Sequence, residues 1–210
     1  MQQILQKIVQ EPVLHAKWLN SLSFMENAGA RKISACENAE TADIIQLKHA
    51  AEEHRHAYYL KKQILKLPVE GFTYYRNADL LAPNHTKQYL HKLDVECSRY
   101  IKKVFSLANH DLKYAAYLFV TYAIEVRADE LYPAYQEVLT ANDSRVMVKS
   151  IIVEEEGHLE EMMAQLDRFD DNWKEHAARV SGIEDRLFRE WFAAVSDETL
   201  KSAHHTEILT

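Results

Sequence analysis

Four glycines and four prolines in 210 residues leave this chain few places to turn. A sandwich or barrel needs many turns, so scarcity of both residues steers the fold toward long helices. Apolar residues at 47% and charged residues at 27% supply a packed core under a solvated surface, which excludes intrinsic disorder. The length fits a single domain spanning 1–210. Acids outnumber bases 32 to 25, a formal charge of -7, which argues against nucleic acid or an anionic membrane as a general partner.

Cys36 and Cys97 belong to no CxxC pair, so a zinc ribbon or rubredoxin-type site is excluded, and a reducing compartment is the weak indication. The opening residues lack the apolar core of a signal peptide. The most apolar stretch, Tyr114 to Ile124, is shorter than the roughly 20 residues a bilayer demands. A compact, soluble protein with no membrane span and a cytoplasmic location is the resulting expectation.

Helical periodicity dominates the chain. A first helix is expected from Pro12 to about Ile33, with Trp18, Leu19, Leu22, Gly29 and Ala30 on its apolar or small face. Ser34 to Glu37 has capping-box spacing and restarts the chain toward a second helix, Thr41 to Leu65. A connection with Phe72, Tyr74 and Tyr75 leads to an extra helix, Asn84 to Leu107. Two further helices are expected over Asp111 to Leu139, kinked at Pro133, and Val146 to Leu166. A turn at Ser181-Gly182 precedes an amphipathic helix, Ile183 to Val195, and residues from Ser202 onward are expected to fray. Two helical hairpins separated by one long crossover match a four-helix bundle, core about 12–166, with a C-terminal helical extension over 167–210.

Glu53 with His56 and Glu155 with His158 each form Glu-x-x-His, which puts both side chains on one helical face. With 21 Glu and 11 His, chance supplies about one such motif, so the spacing alone is weak. Position is more telling. Both copies sit mid-helix among core-facing residues such as Ile151 and Met162, where a charge is costly unless it is paired or coordinated. Each partner helix adds one glutamate, Glu26 and Glu125, and an acid at the end of the run YAAYLFVTYAIE is the least expected residue in the chain. Glu130 competes with Glu125, but could pair instead with Arg127 or Lys149 at the surface.

Glu26, Glu53, His56, Glu125, Glu155 and His158 together resemble the ligand set of the ferritin-like di-iron carboxylate proteins, whose pattern of two Glu plus two Glu-x-x-His is established. The resemblance covers about Trp18 to Met162. It implies an all-α, ferritin-like bundle holding two iron ions, with manganese or a mixed pair as alternatives. Glu53 and Glu155 would bridge them, Glu26 and His56 completing one ion and Glu125 and His158 the other. It further implies chemistry on dioxygen or peroxide, an electron-donor protein, and a small-molecule substrate, and it allows a homodimer.

A 69-residue gap from His56 to Glu125 and the long tail resemble the enzymatic members, so a non-haem di-iron oxidase or oxygenase acting on a small organic or lipid-like substrate is the leading expectation. The alternative is a rubrerythrin- or bacterioferritin-like protein handling iron or peroxide. A tRNA hydroxylase is disfavoured by the net charge, although Lys61-Lys62, Lys66 and Lys102-Lys103 could form a basic patch. Around the ligands, His49 and Tyr122 are candidates for hydrogen bonds to them, and Arg55 and Asp129 for orienting roles explained equally well by surface ion pairs. Gly29 could leave space for an apolar tunnel beside the metals.

Overall fold

The computed structural model describes residues 1–38, 40 and 43–208, with side chains to residue 202. It is all-α. Among these residues seven helices run in order, α1 (Gln2–Gln10), α2 (Pro12–Ala35), α3 (Ile44–Ile64), α4 (Pro83–Phe105), α5 (Asn109–Ala141), α6 (Lys149–Phe169) and α7 (Trp173–Ile208). A short 3-10 turn, Asn77–Asp79, interrupts the link between α3 and α4. No described helix is long and apolar enough to cross a membrane.

Local signals account for most of the boundaries. Glu11 leaves the helical region and its carboxylate accepts from the Leu14 N–H at 2.7 Å, while Pro12 fills the first turn where no donor is needed. Asp43 caps α3 through the Ile45 N–H at 2.8 Å. The Ser34 capping box is not used, because α2 continues through Ser34 and Ala35; the expected start at Thr41 lies outside the described residues. α5 passes through Pro133, and α7 passes through Ser181-Gly182, so the expected turn there does not form. The fraying expected from Ser202 onward is not seen as far as Ile208, where α7 still runs; the last two positions lie outside the described residues. α1 was not anticipated; its Leu5 and Ile8 are wholly buried because it docks on α2, α5 and α7.

Packing follows the hairpins. α2 lies chiefly on α3, and α5 chiefly on α6, while α3 and α6 touch more sparingly. α4 covers the space between α2 and α5, and α7 packs on α4 and α5. The anchor of this cover is aromatic: Trp18 of α2 stacks on Trp191 of α7 at 5.6 Å and meets Tyr135 of α5 edge-on at 5.9 Å. Between the two hairpins the buried Glu53, His56, Glu125, Glu155 and His158 converge.

Candidate metal centre

Each of the four hairpin helices sends acids inward at mid-length. Glu53 and His56 of α3 and Glu125, Glu155 and His158 of α5 and α6 are buried, and Glu26 of α2 is largely so. Two sets of four residues each bring one ligand atom per residue within 4.8 Å of one another: Glu26, Glu53, His56 and Glu155, then Glu53, Glu125, Glu155 and His158. Glu53 and Glu155 belong to both. These buried groups could hold a metal ion, and all six residues singled out from the sequence fall in the two sets.

The histidines face inward through Nδ1. His56 Nδ1 lies 3.0 Å from Glu155 Oε1 and 4.0 Å from Glu26 Oε2, and His158 Nδ1 lies 3.2 Å from Glu155 Oε2 and 3.7 Å from Glu125 Oε2. Outward, each Nε2 meets a second carboxylate from the opposite hairpin. His56 of α3 pairs with Glu154 of α6 at 2.7 Å, and His158 of α6 pairs with Glu52 of α3 at 2.7 Å. This exchange is reciprocal, since the two carboxylates each precede the shared glutamate of their own helix by one residue. Arg55 then bridges both, 2.6 Å from Glu154 and 3.5 Å from Glu52. With Nε2–H donated outward, Nδ1 presents a lone pair toward carboxylates that are acceptors themselves. Such an arrangement needs a positive charge between its members.

Ionisation answers that need when no metal supplies it. At His56 burial opposes charge, but the adjoining Glu155 and Glu26 outweigh it and move the ring up to about 9. At His158 the same opposition is overcome by Glu125 and Glu155, and the ring rises to about 11. Burial, then repulsion from Glu26 and Glu155, holds the Glu53 carboxyl well above the usual range. Glu125 rises likewise from burial and from Glu155. Glu155 is the exception: burial pushes it up, yet Glu125 and both imidazoles bring it below the usual range, so it carries the charge. Even so, His56 Nδ1 and Glu125 Oε2 are buried without a hydrogen bond. Two unpartnered lone-pair atoms amid five shifted ionisations are what a site able to hold cations would show without them. The residues fit such ions: four carboxylates and two imidazoles suit iron or manganese.

The remaining candidates separate. His49 does not bond a cluster carboxylate; its Nε2 meets Glu161 at 3.0 Å, its Nδ1 meets the Tyr117 hydroxyl at 3.1 Å, and its ring lies 4.6 Å from that of His158. Tyr122 packs edge-on against Trp173 at 5.3 Å. Glu130 and Asp129 are exposed, Glu130 bonded to Arg127. Tyr132, not singled out from the sequence, donates its buried hydroxyl to Glu26. Its only sequence cue was a seven-residue spacing from Glu125, which shares a helical face. Glu52 and Glu154 were also passed over, although the doubled Glu-Glu-x-x-His carried them.

On the side opposite the histidines lies a cavity of about 100 Å³, between α2 and α5 and under α4. Glu26, Glu53 and Glu125 form part of its wall, and Leu22, Leu90 and Ile124 supply apolar surface. Gly29 lines it, where a Cβ would come within 3.7 Å of Glu53 Oε2.

Compared with protein-family models, curated proteins and solved structures, the chain matches none of them.

Proposed function

We propose that this chain is a ferritin-like di-iron carboxylate enzyme, an oxidase or oxygenase that uses dioxygen on a small organic or lipid-like substrate. The observation carrying the proposal is the pair of overlapping four-residue sets that share Glu53 and Glu155. Glu26 and His56 would hold one ion, Glu125 and His158 the other, and the shared glutamates both. Iron is the favoured metal, with manganese or a mixed pair as alternatives. Bound there, two redox-active ions supply the electrons that reduce dioxygen or peroxide.

The chain's own groups have definable tasks. Glu52 and Glu154 take the Nε2–H of His158 and His56 and so hold each Nδ1 free for an ion. Tyr132 fixes one oxygen of Glu26 by its hydroxyl. The apolar wall keeps bulk water from the carboxylates and gives an organic molecule room beside them. That room favours an organic substrate over the rubrerythrin- or bacterioferritin-like alternative, for which no cavity is required. An electron-donor protein would return the ions to the reduced state, and a homodimer is compatible with this chemistry.

Metal analysis of protein grown with iron, with Glu125→Ala and Glu130→Ala alongside, tests the reading. Two ions per chain in the wild type and in Glu130→Ala, with loss in Glu125→Ala at unchanged helicity, is the expected result. No bound iron or manganese in the wild type overturns it. Retention of both ions by Glu125→Ala removes that residue from the ligand set. Oxygen uptake stimulated by an organic substrate then separates an enzyme from a store, which would instead form a large mineral-holding assembly.

A further inference from the structure

The seam between α4 and α7 carries cations that the rest of the fold leaves unmatched. Contacts across it run antiparallel: Glu96 meets Arg186 at 2.6 Å, and one turn on the Tyr100 hydroxyl meets His176 at 2.8 Å. A groove of about 620 Å³ lies along this stretch, lined by Glu96, Arg99 and Tyr100 of α4 and by Arg179, Gly182 and Arg186 of α7. Arg186 is already matched, since it also holds Glu190 at 2.9 Å, and Arg189 holds Asp185. Arg99 and Arg179 differ. Both are exposed, and neither makes an ion pair or hydrogen bond among the described residues. Glu175, one turn before Arg179, is itself exposed and does not pair with it. Two guanidinium groups thus line one groove with no acid committed to either, in a chain whose formal charge is -7.

Glycine keeps the floor of this groove open. Gly182 lies inside α7, where glycine lowers helix propensity by about 1 kcal/mol relative to alanine. Yet a Cβ there would meet nothing within 4 Å, so packing does not demand the glycine. We propose that the groove binds the phosphate group of a small phosphate monoester, held by Arg99 and Arg179 over Gly182. The charges match: the two uncommitted guanidinium groups offer a charge for each of the roughly 1.5 to 2 negative charges that a phosphate monoester carries at neutral pH. Arginine also presents its N–H groups as a planar fork, which meets phosphate oxygens two at a time. The groove contains none of the six cluster residues, so the proposal stands apart from the metal reading.

The test titrates the full chain with phenyl phosphate and follows the side-chain NMR signals of its arginines. Saturable binding that shifts the Arg99 and Arg179 signals is expected. Arg99→Gln and Arg179→Gln should each weaken it about tenfold or more, the loss of a charge-assisted bond. Gly182→Leu, which fills the floor and favours the helix, should abolish binding at unchanged helicity. Lys102→Gln removes an exposed charge of α4 that does not line the groove, and should leave affinity unchanged. Absence of saturable binding overturns the proposal. So does equal weakening by Lys102→Gln, which would mean diffuse attraction of anions, or full affinity in Gly182→Leu. Benzoate and a short single-stranded RNA are titrated in parallel. Benzoate binding as tightly as phenyl phosphate would mean a general anion site, and RNA binding that survives Gly182→Leu would mean an extended basic surface; either result also overturns a site built for one phosphate group.

Discussion

Two regions of the molecule bury histidine to the same depth and treat it in opposite ways. His15 sits in the aromatic hub, 1% exposed, with Tyr135 as its hydrogen-bond partner at 2.5 Å. Burial alone drives its ring down to about 4, so it stays neutral. His56, 2% exposed, is driven instead up to about 9 because carboxylates surround it. Depth is therefore not what charges a ring in this protein; the company of acids is. The hub keeps its one buried histidine neutral, although it also leaves the Trp18 indole N–H without a partner. The cluster gathers acids in numbers that stability does not explain, and a cation binding there would convert repulsion into attraction.

Metal removal tests that contrast with the largest effect. At free ion a hundredfold above its dissociation constant, each bound ion stabilises by about 2.7 kcal/mol, so chelating both should cost about 5 kcal/mol in denaturant unfolding. Glu155→Ala removes a member of both sets and should lose both ions, whereas His158→Ala should lose one. Equal stoichiometry in the two variants would contradict a shared carboxylate. Glu53→Gln should also make the metal-free protein more stable than metal-free wild type, because a repelled buried carboxyl is relieved.

The hub gives the next effect, and of a different kind. An unfolded His15 titrates near 6.5 and the folded one near 4. Between those values the unfolded chain binds more protons, so stability falls as pH drops from 6.5 to 4 and is unaffected by this group above 6.5. The shift corresponds to about 3 kcal/mol. Unfolding of wild type against His15→Gln across that window should show the difference opening toward acid; a constant difference would mean that burial does not set this ring's charge.

A smaller effect is expected one layer out from the ligands. Glu52→Gln and Glu154→Gln keep shape but weaken the acceptors that hold His158 and His56, and each should lower metal affinity about 10–100-fold. The reciprocal geometry predicts losses of similar size, additive in the double variant only if the two ions bind independently. No change in either variant would reduce both contacts to surface ion pairs.

Much of this contrast was legible in sequence and part was not, for physical reasons. Helices α2 to α6 announce themselves by period, and their ends fall within a few residues of expectation because Pro12, Pro68 and Pro83 act locally. The six convergent residues were readable because a helix fixes which side chains share a face. Glu52 and Glu154 were not, since each serves a histidine on the other hairpin, and sequence does not record which helix stands opposite. Tyr132 was hidden for the same reason, its partner Glu26 being 106 positions away. α1 is too short to be stable alone, so it exists only through what it docks on. The seam at Ser181-Gly182 misled in the other direction: one glycine lowers helix propensity by about 1 kcal/mol, which packing of α7 on α4 and α5 readily offsets.

Glycine also supplies the smallest predicted effect, at the border between cluster and cavity. Gly29 lies within α2, and a Cβ there would sit 3.7 Å from Glu53 Oε2, an ordinary contact. Alanine should therefore fit without displacing Glu53 and should stabilise the helix by about 0.5–1 kcal/mol. If this position is merely a helix interior, Gly29→Ala raises the unfolding midpoint in metal-free and metal-loaded protein alike. If the space beside Glu53 is used when ions bind, because the carboxylate must swing toward the cavity, the gain appears only in the metal-free protein and shrinks on loading. Comparing the two midpoints thus reads whether Glu53 moves, with a variant too small to perturb anything else.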